Sequence, residues 1–390
     1  MLFNNHLGAT ELAHKLAELL KVHKDFSSLI IALESTSYYS THIATFLSST
    51  EILMPFKPYV YCLNPKTVAN YKKYFIGMGK TDHIDAFIIA DFARVGRITT
   101  EPWRGAQFLA LQRLTRHRLH LIESITHEKA YMLSNIFLKF SELAVTNDED
   151  SPFSNSFGAA ASAVLTDFLS PEEVVVMSPS DLVGFICLKS RNSFDNPQKT
   201  AALLKQAAAN SYKLDKCLYE PLTISIVSSF NCINAFETEV KNLNKSIENA
   251  IKGLNTNEYQ SLLSIPGIGP VYASGILAEI GSIKAFHSQD ALAKYAGLVW
   301  NQNQSGNFTA DDTIMSKADN HYLRYYLIEA ANSVKNHSPQ YHDFYCKKFA
   351  EVKTHQHKRA LALTSRKLIH LIFGLLDNNQ LYSKSVDIKI

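Results

Sequence analysis

Three carboxylates in this 390-residue sequence are spaced so that they could do chemistry. Glu34 closes the short apolar run SSLIIALE. Read as a buried strand, that run puts Glu34 at its C-terminal end, where open α/β sheets place their ligands. Asp82 and Asp85 form a D-x-x-D pair at the start of a helical pattern, so both side chains fall on one face. Carboxylates converging in this way could hold Mg²⁺, a hard cation that prefers oxygen, and two such ions can clamp the attacking and leaving oxygens of a phosphodiester. A simpler reading stands beside this one. Thr81 or Asp82 caps the helix, and Asp85 is stabilised by the dipole of its first turn.

A second motif, Ile265-Pro266-Gly267-Ile268-Gly269, lies between two helical patterns. Proline fixes one φ and the glycines permit positive φ, so the turn can present backbone N–H groups at the start of the next helix. There they would hold a nucleic-acid phosphate without regard to base sequence, as a helix-hairpin-helix unit does. A plain helix–helix turn with glycine caps uses the same residues.

The elements that must position these groups follow from periodicity. ATELAHKLAELLKVH, THIATFLSS, KTVANYKKYFIG and DHIDAFIIADFARVG read as helices, and SSLIIALE and YVYCLN as strands, the second stopped at Pro65. Their alternation predicts a parallel or mixed α/β sheet. Beyond Pro102 the pattern becomes one long helix through AQFLALQRLTRHRLHLIESITHEKAYMLSNIFLKF. After a polar loop come three shorter helices (SPEEVVVMS, SPSDLVGFICLKS and NPQKTAALLKQAAANSYKL) and a second long one ending in AFETEVKNLNKSIENAIKGL. Two long amphipathic helices around a smaller helical insert suggest an antiparallel pair or coiled coil, either a linker or a dimerisation arm. The last part opens at Tyr259, passes through the polar loop WNQNQSGNFTADD, ends on a basic helix and leaves a tail expected to fray. The expected division is 1–98 α/β, 99–255 helical, 256–376 mostly helical and 377–390 tail.

Composition narrows the setting. The net charge of +3, with 15 histidines uncounted, permits nucleic-acid binding without requiring it. The five cysteines are scattered and never in a C-x-x-C pair, which argues against a disulfide framework or a structural zinc site. No apolar run approaches the ~20 residues of a membrane helix, and no signal pattern opens the chain. The expectation is a soluble, intracellular protein of a reducing cytoplasm.

The order of the pieces adds a resemblance. ESTSYY follows the first strand; then come NPK, GKTDHIDA, long helices, SIPGIGP, YAGL, QSG and HYLRYYL. From about residue 4 to about residue 375 this resembles the DEDD transposases of insertion sequences, a family that includes the Piv-type DNA invertases. The resemblance implies an α/β plus all-α architecture. It comprises a RuvC-like (RNase H-like) N-terminal domain, a coiled-coil middle and a C-terminal transposase domain with a helix-hairpin-helix. It also implies Mg²⁺ held by an Asp-Glu-Asp-Asp tetrad and a serine nucleophile, in a composite site formed between protomers. Double-stranded DNA would be the substrate, a structured guide (bridge) RNA would select it, and the protein would act as a homodimer or homotetramer. On this resemblance Glu34, Asp82 and Asp85 match the last three tetrad positions, and Ser305 matches the nucleophile, within Gln302-Asn303-Gln304-Ser305-Gly306. The expected DNA contacts are Pro266, Gly267, Ile268, Gly269, Gly306, Lys317, Arg324, Arg366 and Lys367, with Arg113, Arg116 and Arg118 toward RNA.

Two departures accompany it. Ser37 stands where the family usually has glycine. The family's opening strand, which carries h-G-I-D-h-x-K (h apolar) and the first tetrad aspartate, has no counterpart, because LFNNHLGATEL resembles the segment after the first hairpin. Asp25 does not replace that aspartate, since it precedes the strand that ends in Glu34, roughly 20 Å away at strand rise. Asp91 lies on the Asp85 helix but points well off its face. The expectation is an N-terminally truncated domain with three of four carboxylates. It could be an active recombinase with an upstream start, an inactive remnant that still binds DNA or RNA, or a junction nuclease that needs no serine.

Overall fold

The computed structural model describes residues 3–22, 26–36, 38–75, 79, 81–98, 102–145, 151–254, 256–300, 304–305, 308–309, 315–317 and 320–383. Two compact units emerge, one from residues 1–116 with 246–390 and one from 117–245.

The first unit begins with α1 (His6–Val22), β1 (Leu29–Glu34), α2 (Tyr39–Ser49), β2 (Pro58–Leu63), α3 (Pro65–Lys72) and α4 (Asp82–Arg94). The two strands pair in parallel, from Leu29 opposite Pro58 to Glu34 opposite Leu63. Strand alternation divides the apolar run between two faces. Leu29, Ile31, Leu33, Val60 and Cys62 pack with residues of α1 and α2. Ala32, Tyr61 and Leu63 pack with Val68, Ile84, Ile88 and Phe92 of α3 and α4. Helices on both faces explain why the strands read as continuous apolar runs rather than alternating ones. Beyond β2, the Trp103 N–H donates to the Val60 carbonyl at 2.6 Å, so the chain leaving this region lies against that strand.

The long helix α5 (Ala106–Lys139) leads into the second unit, which continues with α6 (Ser141–Val145), α7 (Ala159–Asp167), α8 (Pro171–Val176), α9 (Pro179–Ser190), α10 (Pro197–Asn210) and the long α11 (Lys216–Leu254). The two long helices are antiparallel. Arg118 bonds Asn244, Lys129 pairs with Glu237, Asn135 bonds Ser225 and Lys139 bonds Thr223, so the partner number falls as the first rises. Their apolar stripes, including Met132, Ile136, Ile226 and Ile233, close one core with Val164, Leu182 and Leu204 of the shorter helices. The antiparallel pair expected from sequence is therefore present, with the insert packed onto it.

Lys139 is buried inside this unit at 1% exposure. Its ammonium donates to the carbonyls of Leu165 and Phe168 at 2.7 and 2.8 Å and to Thr223 Oγ1 at 2.6 Å, and so ties down the C-terminal end of α7. Burial pulls its pKa from 10.5 down to about 8, against the opposing pull of Glu173. Below pH 8 the folded and unfolded chains both carry the proton, and the folded state bears the cost of the buried charge. Between about 8 and 10.5 only the unfolded chain keeps the proton, so this group adds stability as pH rises; above 10.5 the gain is complete. At 1.36 kcal/mol per unit the gain is on the order of 3 kcal/mol. Urea unfolding of wild type and Lys139→Met at pH 7.5 and 10 should show wild type gaining on the variant over that interval. A constant difference would exclude titration of Lys139.

The chain then completes the first unit with α12 (Asn257–Leu263), α13 (Pro270–Ile280), α14 (Gln289–Tyr295), the short strands β3 (Gln304–Ser305) and β4 (Phe308–Thr309), and α15 (His321–His337), α16 (Pro339–Ala350) and α17 (Gln356–Asp377). One core joins Leu262, Ile276, Leu327, Ala330, Leu368 and Ile372 with Leu111 and Ile251 of the long helices. Only part of the expected frayed tail is described. There the Tyr382 N–H donates to Ser264 Oγ at 2.7 Å, which anchors the segment after α17. Residues 384–390 lie outside the described set.

All five cysteines are free thiols. Among the described residues no helix is long and apolar enough to cross a membrane.

Candidate nucleic-acid recombination site

Glu34 ends β1 on the same face as Ala32, the face covered by α3 and α4. It lines a groove of about 490 Å³ with Ile30, Ala86, Ile89, Ala90 and Arg94, so its carboxylate lies beside the helix that carries the D-x-x-D pair. Thr81 is the N-cap of that helix, its hydroxyl accepting from the Ile84 N–H at 3.4 Å, and Asp82 and Asp85 occupy the first turn. Asp85 is already paired, because Lys72 of α3 donates its ammonium to Oδ1. Among the described residues no group of three or more His, Cys, Asp or Glu is placed to hold a metal ion. Glu34 and the helix of the D-x-x-D pair thus border one groove, of which neither Asp82 nor Asp85 is a lining residue. The capping alternative is realised by Thr81. Asp91 stays off this face, taking Tyr71 Oη at 2.8 Å and Arg94 at 2.6 Å. Asp25 and Ser37 lie outside the described residues.

In the glycine hairpin the two glycines do different work. Gly267 has φ +95°, and a Cβ there would meet the Val334 backbone of α15 at 2.9 Å. It is glycine because of conformation and close packing. Gly269 has φ −89°, N-caps α13 without any side-chain bond, and a Cβ there would meet nothing within 4 Å. Ile268 is 4% exposed and belongs to the core, whereas Pro266 is exposed. Of the four hairpin residues expected at DNA, Pro266 and Gly269 present open surface and Ile268 holds the turn down. Gly267→Ala is expected to cost about 2–4 kcal/mol through strained backbone and overpacking. Gly269→Ala is expected to leave the urea midpoint within about 0.5 kcal/mol of wild type. Equal losses in the two variants would contradict this division.

Ser305 lies on β3 opposite Phe308 of β4. The loop that carries this hairpin is closed at its root: Trp300 bridges Met315, the Ser316 N–H donates to Val299 O at 2.8 Å, and the Lys317 N–H donates to Gly297 O at 3.2 Å. Lys317 holds a left-handed backbone, φ +48°, and is exposed at that root. Gly306 lies outside the described residues, as do Gln302 and Asn303.

Most of the other expected nucleic-acid cations serve the fold. Arg324 turns inward to the Ala296 carbonyl at 3.2 Å, and burial pulls its pKa down. Arg366 pairs with Asp290. Lys367 lies over the rings of Tyr341 and Phe344, 4.9 and 5.0 Å from their centroids. The arginines of α5, expected toward RNA, are likewise engaged. Arg113 covers the Tyr38 ring at 4.3 Å, and its hydrogen bond lowers the pKa of that phenol. Arg118 is 9% exposed and bonds Asn244. Arg116 grips Glu279 through two bonds of 2.7 and 2.8 Å. The partners of these three arginines, Tyr38, Glu279 and Asn244, are far away along the chain.

Glu279, which sequence reasoning missed, is the hub of the serine part. Its side chain is 0% exposed. Besides Arg116 it accepts from Asn320 Nδ2 at 2.8 Å, and Asn320 also caps α15 by accepting the Leu323 N–H at 3.0 Å. The Asn320 N–H in turn donates to Tyr295 O at 2.9 Å, adding a further backbone bond across the base of the loop that bears Ser305.

Comparison with known proteins bears on the same two regions. Residues 2–139 match the family model of IS110-type DEDD transposases, and residues 259–346 match that of the transposase IS116/IS110/IS902 family. The chain belongs to the IS110 family of DEDD transposases. This transposase is 24% identical over 328 residues to an uncharacterized 42 kDa protein of insertion element IS900 from Mycobacterium paratuberculosis, covering 81% of the chain and 76% of the relative. It is 31% identical over 163 residues to the transposase of insertion sequence element IS1111A from Coxiella burnetii, covering 38% and 44%. A pilin gene-inverting protein of Moraxella lacunata is 27% identical over 198 residues, covering 49% of the transposase and 61% of the relative. The transposase is thus an enzyme of DNA recombination. Glu34, Asp82 and Asp85 fall within the first matched region, and the glycine hairpin, Ser305 and Glu279 within the second.

Proposed function

We propose that this transposase moves an insertion element by cutting and rejoining DNA through Ser305. The Ser305 Oγ attacks a phosphodiester phosphorus. The Oγ–P bond forms, the P–O bond to one deoxyribose breaks, and the departing sugar hydroxyl takes the proton. Attack by the hydroxyl of another strand reverses the step and frees the serine, so strands are exchanged without an external energy source. The observation that carries this reading is Ser305's place in the matched transposase block, on a hairpin whose root is held by backbone bonds. Lys317, exposed at that root, supplies a positive charge toward a phosphate.

The N-terminal part is proposed to be RuvC-like. A parallel strand pair with helices on both faces and an acidic residue at the C-terminal strand end supports this. The family resemblance implies a divalent metal, Mg²⁺, on Glu34, Asp82 and Asp85. As placed, these residues do not fit one: Lys72 neutralises Asp85, and the three carboxylates do not form a ligand group. The reaction is therefore written through the chain's own groups. The divisions 1–98, 99–255 and 256–376 are proposed as functional parts, although the compact units meet at 116/117 and 245/246. Guide-RNA selection of double-stranded DNA, and action as a homodimer or homotetramer, belong to the same proposal.

The test is a covalent adduct. The full chain is incubated with a nicked duplex of an element end, on which cleavage releases a short fragment and strands the intermediate. A protein–DNA species that survives denaturing electrophoresis and maps to Ser305 is expected. Cleavage with free phosphate ends and no adduct would instead identify a nuclease that uses water.

A further inference from the structure

We propose that the turn between α16 and α17 is a second DNA-binding surface, one that grips the duplex backbone through Lys347, Lys353 and Lys358. From Lys335 to Lys367 the sequence carries eight Lys and Arg against two carboxylates, Asp343 and Glu351. The whole chain is only +3, so the rest of it is net negative and the positive charge is concentrated here. Glu351 is already taken, by Lys348 at 2.7 Å and Arg359 at 3.1 Å. Lys347, Lys353 and Lys358 are exposed, and among the described residues no ion pair holds them.

The surface beneath them is built rather than loose. Phe344 and Tyr345, adjacent on α16, gather cations from three helices. Lys348 and Lys367 lie 5.7 and 5.0 Å from the Phe344 centroid. Lys335 lies 4.5 Å from that of Tyr345, whose hydroxyl bonds His357 Nδ1 at 2.7 Å. Aromatic rings that anchor the inner cations keep the outer lysines on a firm platform. No large hydrophobic side chain is exposed between Lys335 and Lys367, so the face suits phosphates rather than the apolar interior of a lipid layer. Lys347, Lys353 and Lys358 lie past residue 346, where the matched block ends, while Lys335, Phe344 and Tyr345 of the platform lie within it. Phosphate contact positions a duplex and reads no sequence, so the surface would hold flanking DNA whose sequence varies from one insertion to the next. The inference rests on the reading of the chain as a DNA recombinase, but its test measures binding, which does not need Ser305 to react.

The test uses the full chain carrying Lys347→Glu, Lys353→Glu and Lys358→Glu together, with the matching Gln triple as a milder variant. Affinity for a fluorescein-labelled duplex is measured by anisotropy across a salt series. Each lost contact should reduce the slope of log K against log salt by about 0.9, so a reduction of about 2–3 is expected, with at least a tenfold loss of affinity that is uniform across duplex sequences. The Gln triple should lose less affinity but show the same direction, with an unchanged urea midpoint. A control triple, Lys21→Glu, Lys199→Glu and Lys241→Glu, removes as much charge elsewhere. An unchanged slope, an equal loss in the control, or a loss confined to a structured RNA probe would each overturn the proposal.

Discussion

Ser305→Ala is expected to abolish adduct formation and lower strand exchange by at least about 10³-fold, with folding and DNA binding intact. The size of the effect follows from what is removed. Every other group in the proposed reaction orients or stabilises charge, whereas the serine oxygen forms the bond, and alanine offers no atom to take its place. The selectivity follows from how the hairpin is held. Its register to Phe308 and the bonds at its root, Ser316 to Val299 and Lys317 to Gly297, are all backbone bonds that alanine leaves in place. Wild type and variant should therefore share a urea midpoint and an anisotropy curve and differ only in chemistry. Exchange that persists in the alanine variant would remove Ser305 from the mechanism, and the nuclease alternative would then have to be judged on Glu34, Asp82 and Asp85.

Local features of this molecule could be read from its sequence, and partnerships could not. The apolar run ending at Glu34 reads as a buried strand; the structure forms the strand and packs helices against both faces, but leaves each of its residues partly exposed, Ile30 at 52%. The two long helices announce themselves by periodicity, and an antiparallel pair is one of the arrangements that their pattern allows. The capping reading of Thr81 needed only three residues of context. What sequence could not show is where a charge goes when its partner is distant. Arg116 is expected toward RNA, yet it pairs with Glu279, far along the chain. Arg324 and Arg366 read as a DNA face, and the structure adds contacts to α14 and its end that the sequence does not show. Lys139 looks like an ordinary C-terminal helix cation, and only tertiary packing turns it into a buried clamp on α7. The hairpin glycines look equivalent in sequence as well. Gly267 differs from Gly269 because Val334 approaches one and not the other. In each case the deciding fact is a neighbour brought in by the fold, which local propensity does not encode.

Glu279→Ala is expected to be the most destabilising single change in the serine-bearing part, costing about 3–5 kcal/mol. The carboxylate is shielded from water and faces three donors, two from Arg116 and one from Asn320. Removing it leaves a partly buried guanidinium and an amide without their acceptor. The cost is that of uncompensated burial, beyond the loss of the pair itself. Glu279→Gln should be milder but still costly, because its amide nitrogen must face a donor. Arg116→Met with Glu279→Met removes both charges and should recover much of the loss, so the double-mutant cycle should show a coupling of at least about 1.5 kcal/mol. Urea unfolding of the four proteins measures this directly, and additive losses would mean that the pair is not the structural unit described. Function should follow stability in a particular way. Asn320 connects Glu279 to the cap of α15 and to Tyr295 across the base of the serine loop. At temperatures where Glu279→Gln is still folded, strand exchange should fall further than duplex affinity, because the base of the loop that carries Ser305 loses support through Asn320 while the lysines of the α16–α17 turn keep their platform.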